Sequence, residues 1–347
     1  MNDVPPKRPT PGFDLAVLEA HLQAHLPGFG GPIDLSQFEG GQSNPTFRLA
    51  TPGAKWVMRT KPGPVARLLP SAHAIEREFR VMRALQGQGF PVPACRLLIE
   101  DEAVIGRAFY VMDEVEGRIF WDPALPGLTP AERAAIFDAM NQTLARLHTI
   151  DVERAGLADF GRAGNYFERQ IARWTKQYRA SETDPIEAMD ALIEWLPAHV
   201  TEDDETRIVH GDFRLDNLIF HASEPRVLAV IDWELSTLGH PLADLAYHAM
   251  AWHIPPGAFR GLAGLDLAAL GIPSEAEYLA RYCERTGRGP ISHWNFYLAY
   301  NLFRLAAILQ GVYKRASEGM AASSNSLAAG KNARVLAELG WSYAQKA

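Results

Sequence analysis

The sequence predicts an α+β chain built of two lobes, a small β-rich N-lobe followed by a larger, mostly helical C-lobe. Three observations carry that expectation: short β-prone pieces between Ile33 and Met58, a helical pattern beyond Gly117, and a length of 347 residues, above the commonest single-domain size. The expected division is residues 1–27 as an N-terminal tail and helix, 28–116 as the N-lobe and 117–347 as the helical C-lobe.

Met1 to Pro11 is proline-rich without an apolar core and reads as a loose tail, not a secretory signal. Leu15, Leu18, Leu22 and Leu26 recur at helical spacing, so a helix is expected from Asp14 to Leu26, closing at Pro27-Gly28. Strand pieces follow at Thr46 to Leu49 and Lys55 to Met58, around turns at Gly40-Gly41 and Thr51-Pro52-Gly53. Ile75, Phe79, Met82 and Leu85 predict a helix over 74–85, and Phe109 to Met112 an apolar strand ending at Asp113.

The C-lobe announces its helices through their caps. Thr129-Pro130-Ala131-Glu132 is a capping box with proline at the first helical position, and Ser274 with Glu277 repeats the device. Further helices are expected over 294–315 and 335–345, with short strands at Arg207 to Val209, Leu218 to His221 and Val227 to Ile231.

A formal charge of −7 argues against a nucleic-acid binder, which needs a basic face for phosphates. No run reaches the roughly 20 apolar residues of a membrane span, because Arg304 interrupts the longest late candidate. Cys95 and Cys283 form neither a disulfide framework nor a cysteine-built zinc motif, so a cytoplasmic location is expected.

The informative segment is His210-Gly211-Asp212-Phe213-Arg214-Leu215-Asp216-Asn217, followed by Asp232 in Val230-Ile231-Asp232-Trp233-Glu234. Each acid follows an apolar strand. Phosphoryl transfer needs this inventory: one carboxylate for the acceptor's proton, and an amide oxygen with a second carboxylate for magnesium on the phosphates. No G-x-x-x-x-G-K-[ST] occurs, which disfavours a P-loop enzyme.

This pattern resembles the catalytic loop and metal-binding Asp of the protein-kinase-like fold. With glycine after the histidine it looks like the aminoglycoside phosphotransferase-like family, which also holds choline and homoserine kinases. The resemblance covers about residues 38–252. Within the family the nearest likeness is to the kinase-like domains of acyl-CoA dehydrogenase family members and their free-standing bacterial homologues, carried by residues 165–178, 213–220 and 232–248.

The resemblance implies ATP and Mg2+ as cofactors, with Asp212 as catalytic base and Asn217 and Asp232 as metal ligands. It implies that His210 braces the loop and that Asp244 hydrogen-bonds its backbone. In the N-lobe it makes Gly40, Gly41 and Ser43 the phosphate-covering turn, although a plain hairpin explains the two glycines as well. Arg59 stands where the family has a lysine, with Lys61 on the same strand face, and which of them holds the α/β-phosphates is open. Glu78 is the expected partner, and Asp113 and Val115 would meet adenine through their backbones.

The acceptor is a small molecule carrying a hydroxyl, with acyl-CoA as the family's implication, notably a 4-hydroxyacyl thioester. Arg169 and Arg173, on a helix face with Lys176 and Arg179, and Arg214 and Glu234 beside the catalytic acids are the acceptor-side candidates. A solvated basic face explains the helix equally. The rival readings are an aminoglycoside- or choline-type kinase and a nucleotide-binding pseudokinase or scaffold.

Overall fold

The computed structural model describes residues 12–38, 44–62, 74–318 and 326–347. Helix α1 (Leu15–His25) starts where Asp14 accepts from the Ala16 N–H, and it buries Leu18 and Leu22. Strands β1 (Asp34–Gln37), β2 (Thr46–Ala50) and β3 (Lys55–Thr60) precede helix α2 (Ile75–Gly87), and strands β4 (Cys95–Ile99) and β5 (Phe109–Asp113) follow it. They form one antiparallel five-stranded sheet in the order β1-β2-β3-β5-β4.

Strand alternation decides what each face of that sheet meets. Trp56 and Met58 of β3 face a cluster with Leu18 and Leu22 of α1, while Val57 faces the opposite cluster, which contains Phe79 and Met82 of α2. Arg59 shares the Val57 side by the same alternation. A basic side chain is thereby delivered to the helix that carries Glu78.

Helix α3 (Pro130–Thr149) opens with the expected capping box on Thr129 and Glu132. Helices α4 (Tyr166–Ser181) and α5 (Glu187–Ala198) lead into two short antiparallel ribbons. Strand β6 (Arg207–Val209) pairs with β9 (Thr237–Gly239), and β7 (Leu218–Phe220) pairs with β8 (Val227–Val230). Helices α6 (Pro241–Ala249), α7 (Leu267–Leu270), α8 (Glu275–Thr286), α9 (Trp294–Ser317) and α10 (Ser326–Ala344) complete the chain. The α8 capping box on Ser274 and Glu277 is present, and α9 runs through the core with residues from Phe296 to Gln310 buried.

The structure is the expected α+β arrangement and adds elements. β1, β4, α5, α7 and β9 are not among the expected elements, and α10 begins nine residues before the predicted Val335. Among the described residues, no helix is long and apolar enough to cross a membrane.

Candidate active site

The two ribbons place the acids. β6 ends one residue before His210, β7 begins just after Asn217, and β8 ends two residues before Asp232. Ile231 donates its N–H to the Asn217 carbonyl at 2.9 Å, which holds the two acid-bearing loops side by side. The sequence motif is therefore one place in space.

The loop from His210 to Asn217 is fixed from beneath. Asp244 on α6 accepts from the backbone N–H of His210 at 2.5 Å and of Gly211 at 2.7 Å, with His148 of α3 at 3.4 Å. Burial works against its charge, but the hydrogen bonds and the histidines around it hold the carboxyl below its ordinary value. His210 lies with Nε2 3.0 Å from the Ile231 carbonyl, and its Nδ1 accepts from the Asp212 N–H at 3.2 Å. Gly211 has φ +82°, and a Cβ there would sit 2.6 Å from the Leu235 carbonyl oxygen, so only glycine fits.

Asp212 itself is held by three side chains. Asn217 Nδ2 donates to Oδ2 at 3.0 Å and to the Asp212 carbonyl at 2.9 Å, Tyr247 donates to Oδ1 at 2.5 Å, and Arg214 Nη2 lies 3.1 Å from Oδ2. Burial, with Asp212 beside it, pushes the Tyr247 phenol well up, so it stays a donor. Arg304 of α9 donates to the Gly211 carbonyl and stacks 4.9 Å from the Tyr247 ring. Tyr247 carries no motif that marks it in the sequence, whereas Arg304 stands out as a cation inside an apolar run.

On the N-lobe side Arg59 joins three acids. Its Nη1 is 3.3 Å from Glu78, and its Nη2 is 3.1 Å from Asp232 and 3.2 Å from Glu234. Burial opposes the guanidinium charge, and these carboxylates outweigh it. Glu78, 2% exposed, also accepts from Asn44 at 3.0 Å and Tyr110 at 3.1 Å. Lys61 pairs instead with Glu76 at 3.2 Å.

Some expected placements change. Gly40, Gly41 and Ser43 lie outside the described residues. Asp113 donates its N–H to the Ala94 carbonyl at 2.9 Å and its carboxylate accepts from Arg96, so a nucleotide could meet only its carbonyl; Val115 follows where Glu114 makes the last bond to β3. Glu234, expected near the acceptor, sits on Arg59 instead, because the turn after Asp232 aims it at the N-lobe.

The basic helix face is α4. There Arg169 donates to the Arg162 carbonyl, Arg173 lies over the Trp174 ring at 5.3 Å, and Arg179 pairs with Asp190 and Glu182. Of the acceptor-side candidates, only Arg214 lines the pocket that adjoins Asp212. That pocket is a narrow cavity of about 50 Å³ between α3, α6 and the segment after it, and most of its walls are apolar.

An arginine on the N-lobe side, two loops carrying Asp212, Asn217 and Asp232, and an adjoining pocket suit phosphoryl transfer. Comparison with known proteins agrees. The model of the phosphotransferase enzyme family matches residues 34–290. The chain is 49% identical over 344 residues to acyl-CoA dehydrogenase family member 10 of Mus musculus, covering 98% of this chain and 32% of that protein. It is 45% identical to family member 11 of Homo sapiens, covering 94% of this chain and 43% of that one, so it spans less than half the length of either relative.

Among solved structures, an aminoglycoside phosphotransferase candidate from Ralstonia eutropha JMP134 superposes with a TM-score of 0.88 at 58% identity, over 96% of this chain and 99% of that one. Spectinomycin phosphotransferase, solved with ADP and spectinomycin, shares the fold at a TM-score of 0.62 and 12% identity, over 96% and 99%. On these matches and the site they surround, the chain belongs to the phosphotransferase enzyme family and is a phosphotransferase.

Proposed function

We propose that the enzyme transfers the γ-phosphoryl group of ATP, with magnesium, to the hydroxyl of a hydroxyacyl-CoA. The observation that carries the reading is the fixed Asp212 carboxylate, set between Asn217 and Tyr247 at the edge of an apolar pocket. The names of the relatives, acyl-CoA dehydrogenase family members, favour an acyl-CoA as the acceptor. The apolar walls disfavour a polycation such as an aminoglycoside, which would lose its hydration there.

The donor set suits magnesium. Mg2+ takes one or two carboxylates and fills its remaining positions with phosphate oxygens and water. Asp232 already carries a cation on its carboxylate, the Arg59 guanidinium, and Asn217 spends its amide nitrogen on Asp212, which leaves its carbonyl oxygen to bind metal. Bound Mg·ATP would supply the phosphoryl group and neutralise its charge.

The protein's own part follows from the geometry. Asp212 orients the acceptor hydroxyl and takes its proton, Tyr247 and Asn217 fix the carboxylate for that task, and Arg59 faces the phosphates. Asp212→Asn should lower kcat by about 10² to 10⁴-fold in an ADP-release assay while ATP still binds. The assay panel holds hydroxyacyl-CoAs, choline and kanamycin. Turnover of choline or kanamycin alone would remove the acyl-CoA reading, and equal ADP release by parent and variant would leave a nucleotide-binding scaffold.

A further inference from the structure

The geometry points to the apolar pocket beside Asp212 as a subsite for an alkyl segment that flanks the reacting hydroxyl, closed at its polar end by Arg260. This rests on the phosphotransferase reading and names the acceptor's chemistry. Three observations converge on it.

The first is continuity with the base. Tyr247 and Arg214 line the pocket, and both also contact Asp212, at 2.5 Å and 3.1 Å. A molecule occupying the pocket therefore has one end beside the carboxylate that takes the proton.

The second is the lining. Phe137, Met140, Ala251, Trp252, Ile254 and Phe259 supply walls that offer an acceptor contact without hydrogen bonds. His248 belongs to the same wall, ringed by Phe213, Trp252 and Tyr278, and burial pushes its pKa down to about 4, so it adds no charge near neutral pH. A sugar or polyamine would lose its hydration here without compensation, whereas a hydrocarbon gains by entering.

The third is the closure. Arg260 Nη1 bonds Asp216 at 2.9 Å, and Arg214, which also meets Asp212, lies 3.5 Å from the same oxygen, so the polar end is a network of paired charges. Arg260 has φ +41°, a costly conformation for a non-glycine residue. Its guanidinium lies between the rings of Trp121 at 5.4 Å and Phe259 at 5.6 Å. Trp121 is 64% exposed and lines the pocket at that end. The segment after α6 bends tightly enough that a Cβ on Gly261 would overlap the Ile254 carbonyl. Backbone strain, stacking and an ion pair thus converge on one arginine at the mouth of an apolar pocket.

The test uses the full chain and two probes. Binding of a homologous n-alkanol series, followed by tryptophan fluorescence, should tighten roughly fourfold per added methylene. Ala251→Phe, which fills the pocket, should abolish that dependence, and Phe259→Ala, which enlarges it, should extend it to longer members. In turnover of a matching hydroxyacyl-CoA series, the long-over-short ratio of kcat/KM should fall at least tenfold in Ala251→Phe.

Alkanol affinity independent of length, or equal in parent and both variants, overturns the subsite whatever the turnover panel shows. Should one variant fail to fold, the other still decides. If alkanols behave as expected but no hydroxyacyl-CoA is phosphorylated, the alkyl subsite stands and the CoA reading falls.

Discussion

On the C-lobe side of the cleft, the catalytic loop is tied down by buried hydrogen bonds from three helices: His148 of α3 on Asp244, Asp244 and Tyr247 of α6 on the loop, and Arg304 of α9 on the Gly211 carbonyl. On the N-lobe side, Arg59 is held by ion pairs to Glu78, Asp232 and Glu234, of which the last two stand on the other lobe and are 33% and 23% exposed. Asp212 is fixed in place before any ligand arrives. The N-lobe side is an exchangeable set of charges, in which a phosphate bound there would compete with carboxylates for one guanidinium. The two halves should therefore respond differently to damage.

The largest effect should follow from cutting the brace on the C-lobe side. Asp244→Ala leaves the N–H groups of His210 and Gly211 buried without an acceptor, at a cost of roughly 3 to 5 kcal/mol. Urea melts should show that loss and ADP release should fall with it. A melt like the parent's would mean that the loop is held by something other than Asp244.

The next effect is acid sensitivity, and it too belongs to the C-lobe. Burial holds His248 neutral, with its pKa lowered from 6.5 to about 4. The unfolded chain takes up a proton that the folded one refuses, so the stability from this group is complete above 6.5 and is lost as pH falls toward about 4. The full loss is on the order of 3 kcal/mol, of which about 2 kcal/mol falls between about pH 7 and about pH 5, and His248→Phe should flatten it in urea melts compared at those two values. Parallel curves for parent and variant would exonerate His248.

What the sequence disclosed follows the same division. His210, Asp212, Asn217 and Asp232 were legible because phosphoryl transfer needs those side chains at close spacing on one ribbon pair. Tyr247 and Arg260 were not, since each reaches Asp212 or Asp216 across more than thirty residues of chain and neither breaks a pattern. α6 is buried at every position from Pro241 to Ala249, so no apolar stripe marks it, and only the family likeness placed Asp244 there. Arg304 was visible as the cation interrupting an apolar run. A buried cation needs a partner, and the Gly211 carbonyl supplies it across the fold.

A smaller effect should mark the N-lobe side. In Arg59→Lys a point charge replaces a fork whose two ends reach Glu78 and the Asp232–Glu234 pair separately. The KM for ATP should rise about tenfold, with kcat changed less, and the melt should move only slightly. If the KM is unchanged while Lys61→Met raises it, the phosphates are held by Lys61 after its release from Glu76.

The smallest effect comes from the bond that links the brace to the base. Tyr247→Phe keeps the ring under Arg304 but removes the 2.5 Å hydrogen bond to Asp212 Oδ1. Asn217 and Arg214 still hold Oδ2, so the carboxylate is loosened and not released. The lost bond to a charged group is worth about 1.5 to 3 kcal/mol at most in stability, and less where water can replace the phenol. The kinetic signature separates positioning from packing. With Oδ1 free, the variant should show a lower kcat and an unchanged KM for ATP. A variant that melts earlier but keeps the parent's kcat would make Tyr247 a strut for the helix and not a positioning partner of Asp212.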